Sequence, residues 1–269
     1  VKIVWTYTYI KCFILLYHKS AFDMDHKLVS IIMAGGLGKR MSQTKAKVLH
    51  EIRGFPMIYY VIQNAILVGS DRIFIVVGKY KNQIKDAVSN LFSDDILQKI
   101  VYVIQPEVIL DGKLCSLGTG DAVRACINAF DEYNYSKNTN VVILSGDVPF
   151  IDKDDLLNFS KCTNSIMVAN VENPDGYGRI FLNENDDLSY IVEHSLCDDD
   201  QLQCCKVNAG IYNLSLRTLK ETIPNIEINE KKKEFLLTDF YLFTENPIHV
   251  FNTRIVPKNV NTLTELESL

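Results

Sequence analysis

The run Ile31-Ile32-Met33-Ala34-Gly35-Gly36-Leu37-Gly38-Lys39-Arg40-Met41 constrains this chain more than any other segment. Its short apolar, β-branched start reads as a buried strand, which breaks at once into three glycines. Glycine lets the backbone take positive φ and approach a ligand with no Cβ in the way. A glycine turn leaving a strand, here at Ala34, Gly35 and Gly36, can therefore aim N–H groups at phosphate oxygens. The turn also carries fixed positive charge, Arg40 and then Lys47 in Lys47-Val48-Leu49-His50. That combination asks for a polyanion such as a nucleoside triphosphate.

Two common phosphate loops fit less well. A dinucleotide fingerprint needs G-x-G-x-x-G opening a helix. Gly36-Leu37-Gly38-Lys39-Arg40-Met41 lacks the third glycine. A P-loop ends in Gly-Lys-Ser/Thr, and Gly38-Lys39-Arg40 lacks the hydroxyl that would hold magnesium. The glycines alone would suit an ordinary tight turn. The cations behind them favour a nucleotide-binding loop whose Arg and Lys do the electrostatic work.

Periodicity organises the rest as α/β. Helices are expected over 56–68, 81–92 and 121–130, and strands over 72–77, 100–104 and 141–144. Strands alternating with helices predict a largely parallel sheet with right-handed crossovers. Ligands in such folds sit at the carboxyl ends of the strands. That rule puts the turn after Ala34, Gln105 and Asp147 along one rim. Beyond residue 165 the pattern changes to a strand over 166–171 and a hairpin of 179–182 with 188–192. A strand over 210–214, a helix over 237–244, an extended segment over 248–256 and a closing helix over 263–269 follow. No internal repeat is present.

A chain of 269 residues with 47% hydrophobic content can bury a substantial core. The net charge of −5, with no basic run longer than Lys231-Lys232-Lys233, argues against a nucleic-acid groove. Seven cysteines, none in a C-x-x-C pair, indicate neither a disulfide framework nor a zinc ribbon. His194, Cys197, Cys204 and Cys205 fit no common zinc spacing and read as reduced thiols in a cytoplasmic protein. The apolar run over 3–17 is interrupted by Lys11 and is shorter than the roughly 20 residues a spanning helix needs. Residues 1–23 are expected to be an appendage with Met24 as the functional start, and no membrane partner is expected.

Several ordered motifs resemble the sugar-nucleotide pyrophosphorylases. The glycine loop with Lys-Val-Leu-His comes first. Leu117-Gly118-Thr119-Gly120-Asp121, Ser145-Gly146-Asp147-Val148-Pro149, Asn173-Pro174-Asp175-Gly176-Tyr177-Gly178-Arg179, Ile191-Val192-Glu193-His194, Val207-Asn208-Ala209-Gly210 and Leu237-Thr238-Asp239 follow in order. Together they are most similar to the uridylyltransferase half of bacterial N-acetylglucosamine-1-phosphate uridylyltransferases. The resemblance covers roughly residues 28–269. It implies a Rossmann-like nucleotide-diphospho-sugar transferase fold, a mixed, mostly parallel sheet flanked by helices with a sugar-binding lobe. Residues 24–269 would form one domain, with 24–164 the nucleotide-binding half and 165–269 the sugar-binding half. The family's bifunctional members continue into a β-helix acetyltransferase of hexapeptide repeats. These 269 residues hold no such repeat, so that second activity is not expected of them.

The resemblance implies attack by a sugar-1-phosphate oxygen on the α-phosphorus of UTP, with pyrophosphate leaving and N-acetylglucosamine-1-phosphate as acceptor. A phosphate monoester has its second pKa at about 6, so the nucleophile is already largely ionised and needs no general base. The barrier is then mainly repulsion between anions. Arg40 and Lys47 would be the catalytic cations. Mg2+ would sit between Asp147, which ends a hydrophobic strand where an unpaired carboxylate is costly, and Asn261. Asn261-Thr262 also reads as the cap of the last helix. Gln105, Gly118 and Thr119 would meet the base and ribose, and Gly178, Glu193, Asn208 and Thr238 the amino sugar.

Three departures from the family pattern stand out. Ala46 replaces a proline before Lys47, and Leu236 replaces a tyrosine near Thr238. Extra residues over 108–115, with Ser116 in place of a second glutamine, put base discrimination in question. The rival readings are a nucleotidyltransferase for another sugar-1-phosphate or dTTP, and a nucleotide-sugar sensor with a decayed site.

Charge builds on the α-phosphate and pyrophosphate only in the transition state, and interactions that strengthen there accelerate the step. Arg40→Ala should therefore depress kcat by about 10²–10³ while moving the sugar-phosphate KM far less. Arg40→Lys should recover only part of that loss, because the forked geometry is gone. A sole defect in KM would move Arg40 into ground-state binding.

Overall fold

Val- and Ile-rich strands buried on both faces form the centre of the molecule, as parallel strands covered by helices require. The computed structural model describes residues 27–38, 41–42, 44–110 and 112–267. Arg40, Met24 and the 1–23 appendage lie outside the described residues. In chain order the main elements are β1 (Leu28–Met33), α1 (Met57–Leu67), β2 (Ile73–Val77), α2 (Lys81–Ser89), β3 (Ile100–Ile104), β4 (Glu107–Leu110), β5 (Lys113–Ser116), α3 (Thr119–Glu132), β6 (Asn140–Ser145), α4 (Lys153–Phe159), β7 (Ser165–Asn170), β8 (Arg179–Leu182), β9 (Leu188–Val192), β10 (Lys206–Ser215), α5 (Leu216–Thr222), β11 (His249–Asn252) and α6 (Leu263–Glu267).

Nine of these strands form one sheet in the order β9-β8-β10-β6-β1-β2-β3, with β7 beside β10 and β11 beside β7. β6, β1, β2 and β3 run parallel, and β10 pairs antiparallel to β6. Met33 lies opposite both Val76 and Ser145, and Val77 opposite Ile104. This register brings the segments after Ala34, Gln105 and Ser145 to one rim, as the strand-end rule predicts.

Side-chain alternation sends one set of strand residues to each face. Val29, Ile31, Phe74 and Val76 pack with Val123, Cys126 and Phe130 of α3. Ile32, Ile73, Ile75 and Val77 pack with Ile58, Val61, Ile62 and Ala65 of α1. Fixed helices on both faces leave the rim as the open side of the sheet.

The expected elements are present, with two differences and one addition. The region expected to be α-helical over 237–244 is a 3-10 helix, Leu237–Phe243. The strand expected over 210–214 is longer, and β10 carries a bulge between Asn208 and Tyr212. The extra residues over 108–115, to which the sequence reading assigns no element, lie in the β4–β5 hairpin. Its signal was in the sequence: Val108-Ile109-Leu110 followed by Asp111-Gly112, a dipeptide suited to tight hairpin turns.

The C-terminal segment returns to the rim along a polar clamp. Asp155 of α4 accepts from the Thr253 hydroxyl (2.8 Å), the Arg254 N–H (2.8 Å) and Arg254 Nε (2.9 Å). Farther on, the Val260 N–H donates to the Asp147 carbonyl at 2.9 Å. The Val260 side chain is fully buried with Met41, Ile52 and Met57.

Burial of Asp155 would raise its pKa, but the hydrogen bonds and charge from Thr253 and Arg254 outweigh it and hold the carboxyl below the usual value. A depressed carboxylate contributes stability that is present above its unfolded pKa and lost as pH falls through the folded one. Asp155→Asn should therefore cost about 1.5–3 kcal/mol at neutral pH. Chemical denaturation should show that deficit shrinking as pH drops below the ordinary 3.8.

Candidate active site

Lys47 opens a 3-10 turn, Lys47–Leu49, whose Val48 and Leu49 are buried. The glycine turn closes directly on it. Gly38 has φ +57°, and a Cβ there would stand 2.6 Å from Lys47 Cβ, so only glycine fits. Lys47 Nζ donates to the Asp147 carboxylate and, at 2.9 Å, to Asn261 Oδ1. The Ser145 hydroxyl donates to the other Asp147 oxygen at 2.6 Å. Lys47 and Asp147 side chains are only 15% and 18% exposed, so the ion pair is largely withdrawn from water. An ion pair in that setting holds only with good geometry and further hydrogen bonds, which Ser145 and Asn261 supply.

The double reading of Asn261-Thr262 resolves by division of labour. Thr262 Oγ1 accepts from the Glu265 N–H at 3.2 Å, and Glu265 Oε2 accepts from the Asn261 and Thr262 N–H groups at 2.5 and 3.2 Å. Thr262 is thus the helix cap, and the Asn261 amide turns to Lys47.

These groups form one end of a cleft of about 440 Å³. Its walls include Ala34, Gly35, Gly36, Gln105, Gly118 and Thr119. Gly118 takes φ +94°, and a Cβ there would come within 2.6 Å of the Phe235 carbonyl oxygen. Gln105 is held at the end of β3 by its N–H on the Val77 carbonyl (2.8 Å) and is 3% exposed. Its amide nitrogen donates to the Gly118 carbonyl (2.9 Å) and to Asp121 Oδ2 (3.0 Å).

A second group of predicted residues gathers around Thr238. The Thr119 hydroxyl accepts from the Leu237 N–H at 3.0 Å, which ties the cleft wall to the 3-10 helix. The Thr238 hydroxyl donates to Glu193 Oε1 at 3.0 Å. Gly178 and Asn208 are neighbours, with the Asn208 N–H on the Gly178 carbonyl at 2.9 Å. The Asn208 side chain works on the bulge itself. It accepts from the Gly210 N–H (2.8 Å) and donates to the Tyr212 hydroxyl (2.7 Å).

Sequence reasoning missed several members. Ser145 stands two residues before Asp147, the spacing that puts both on one side of a strand end. Glu234 lines the cleft and Asp121 touches Gln105. Arg179, fully buried, donates through Nη1 to the Pro174 (2.6 Å) and Tyr177 carbonyls, which shapes the loop carrying Gly178. Cys197 and Cys204 are free thiols, and no metal-binding group of three or more His, Cys, Asp or Glu occurs among the described residues.

A glycine turn and Lys47 at the carboxyl rim of the parallel strands are the site of a nucleotide-binding α/β fold, and comparison with known proteins makes the chain a nucleotidyltransferase. Residues 30–194 match the MobA-like NTP transferase domain, and the chain belongs to that family. It is 33% identical over 259 residues to a probable UDP-N-acetylglucosamine pyrophosphorylase of Acanthamoeba polyphaga mimivirus, covering 91% of this chain and 96% of that protein. It is 32% identical to the bifunctional protein GlmU of Sulfurimonas denitrificans over 238 residues, 88% of this chain and 49% of that one. The GlmU of Acetivibrio thermocellus is 32% identical over 218 residues, with 79% and 43% covered. The chain thus spans about half the length of these bifunctional relatives. The crystal structure of a UDP-glucose pyrophosphorylase complexed with UDP-glucose superposes with a TM-score of 0.66 at 18% identity, over 90% of this chain and 96% of that one. That likeness is one of fold.

Burial raises the Glu234 pKa, and Glu193 raises it further while Lys232 opposes. Burial and then Glu193 also raise Asp239. A raised carboxyl favours folding only while protonated, and that contribution is lost as pH rises through the folded pKa. Glu234→Gln and Asp239→Asn should therefore raise the melting temperature at pH 7. The gain should vanish in acid, below the ordinary 4.5 and 3.8 respectively.

Proposed function

We propose that this protein transfers uridylyl from UTP to N-acetylglucosamine-1-phosphate, releasing pyrophosphate. The observation that carries the reading is the convergence of Lys47, Asp147 and Asn261 on one point in the cleft that the Ala34–Gly35–Gly36 turn also lines. Residues 24–164 would hold the nucleotide and 165–269 the sugar. The 33% identity to a protein named as a probable UDP-N-acetylglucosamine pyrophosphorylase supports the sugar assignment.

In this reading the triphosphate lies along the glycine turn with its N–H groups on phosphate oxygens. The base lies between Gln105 and Gly118. Glu193, Thr238 and Gly178 offer a carboxylate, a hydroxyl and a backbone edge to the sugar hydroxyls and amide. The sugar phosphate attacks the α-phosphorus as the bond to the bridging oxygen breaks, and the electron pair leaves with pyrophosphate. Lys47 and Arg40 offset the charge that develops there.

Asp147 and Asn261 suit Mg2+. Their oxygens already meet at a single cationic group, Lys47 Nζ, and a carboxylate with an amide oxygen is a hard donor set. So few protein ligands fits an ion that takes the rest of its octahedron from phosphates and water. Bound there, it would neutralise charge on the reacting phosphates. Ser145 holds the Asp147 carboxylate in orientation for that task.

Pyrophosphate release over a matrix of nucleoside triphosphates and sugar-1-phosphates tests the proposal. UTP with N-acetylglucosamine-1-phosphate should be the best pair. A better rate with dTTP or glucose-1-phosphate would replace the substrate assignment, and binding of UDP-sugar without pyrophosphate release would favour a sensor. Asp147→Asn should keep the fold and lose most turnover. Near-normal rates at ordinary magnesium would sink the metal assignment.

A further inference from the structure

We propose that Asp121 is a positioning residue that sets base choice by fixing which end of the Gln105 amide faces the nucleotide. The inference rests on the uridylyl-transfer reading and deepens it. From the sequence, Gln105 looks able both to donate to and to accept from a base. The geometry removes half of that freedom.

A side-chain amide nitrogen carries two hydrogens. In Gln105 one goes to the Gly118 carbonyl at 2.9 Å and the other to Asp121 Oδ2 at 3.0 Å. Both partners are oxygen acceptors, a backbone carbonyl and a carboxylate, so the amide cannot turn over without facing oxygen to oxygen. The carbonyl oxygen, Oε1, must then point the other way. It lies against Gly35, 2.8 Å from where a Cβ would stand, in the wall of the cleft. No donor among the described residues reaches it. Gln105 therefore meets a base as an acceptor.

An acceptor at that point selects a base edge that carries N–H. Facing N3, the acceptor meets an N–H in uracil and thymine but a bare lone pair in cytosine, whose N–H donors on that edge sit on N4 instead. Setting two lone pairs against each other in a site with little water leaves both polar atoms unsatisfied. A site built around a substrate hydrogen bond discriminates far more sharply than one that relies on shape. Asp121 is well placed for this role. It stands in the first turn of α3, where the helix N-terminus favours a carboxylate and holds it in position. Gln105 is anchored from the opposite side by its own N–H on Val77.

The test compares kcat/KM for UTP, dTTP and CTP in the wild type, Asp121→Asn and Asp121→Ser, with melting curves to confirm folding. An asparagine can donate as well as accept, and a serine hydroxyl likewise, so either removes one of the two acceptors that fix the Gln105 amide and lowers the cost of turning it over, with the Gly118 carbonyl alone still opposing. The wild type should prefer UTP or dTTP. Either variant should lower the UTP-to-CTP ratio by about tenfold, with CTP improving in absolute terms through KM. Calorimetric binding of UTP and CTP should show the same shift without turnover. If Asp121 only stabilises the start of α3, both nucleotides will lose equally and the ratio will hold, which overturns the assignment while leaving uridylyl transfer intact. A wild type whose best nucleotide is neither UTP nor dTTP would overturn the uridylyl reading and the assignment together.

Discussion

The structure depends on one partly buried electrostatic knot, Lys47 bridging Asp147 and Asn261. Each partner comes from a different part of the chain: the turn behind the glycine loop, the end of β6 and the returning C-terminal segment. A largely desolvated ion pair is costly unless its geometry is good and its remaining lone pairs are satisfied. Ser145 meets the second carboxylate oxygen, and the Val260 N–H meets the Asp147 backbone carbonyl. Removing any one strand of the knot would leave a charged group poorly matched in a confined space.

Around Thr238 the carboxyls Glu193, Glu234 and Asp239 gather, and burial, with added repulsion from Glu193, pushes Glu234 and Asp239 up. Glu234 also lines the cleft that holds the glycine turn and Lys47. Carboxylates accept but cannot donate to one another, and the Thr238 hydroxyl supplies a donor to Glu193 at 3.0 Å.

Positioning of the second group depends on devices far weaker in the sequence than the glycine loop. Asn208 reads as a candidate sugar contact, yet its side chain spans the β10 bulge from Gly210 to Tyr212 and holds the strand in shape. Arg179 reads as part of a motif, and its guanidinium is committed to the carbonyls of the loop before it. Asp155 carries no catalytic signal, yet it clamps the segment that delivers Asn261. Asn208 acts on a bulge that shifts register, Arg179 on an irregular loop just before it, and Asp155 on partners about a hundred residues away, and none of these leaves a periodic trace.

The sequence by itself determined the parallel α/β sheet, the turn after Ala34 and the rim that joins it to Gln105 and Asp147. These follow from local signals: β-branched runs, a glycine break and the alternation of strands with helices. Family resemblance singled out Asn261, but only the tertiary structure placed it against Lys47, separated Thr262 as the cap and assigned the polarity of the Gln105 amide. It also turned the extra residues over 108–115 into a hairpin beside the cleft, with Cys115 and Ser116 in its wall. The physical reason is common to all of these. A side chain's hydrogen-bonding role is set by which donors and acceptors reach it, and here those come from residues between about a dozen and more than two hundred positions away.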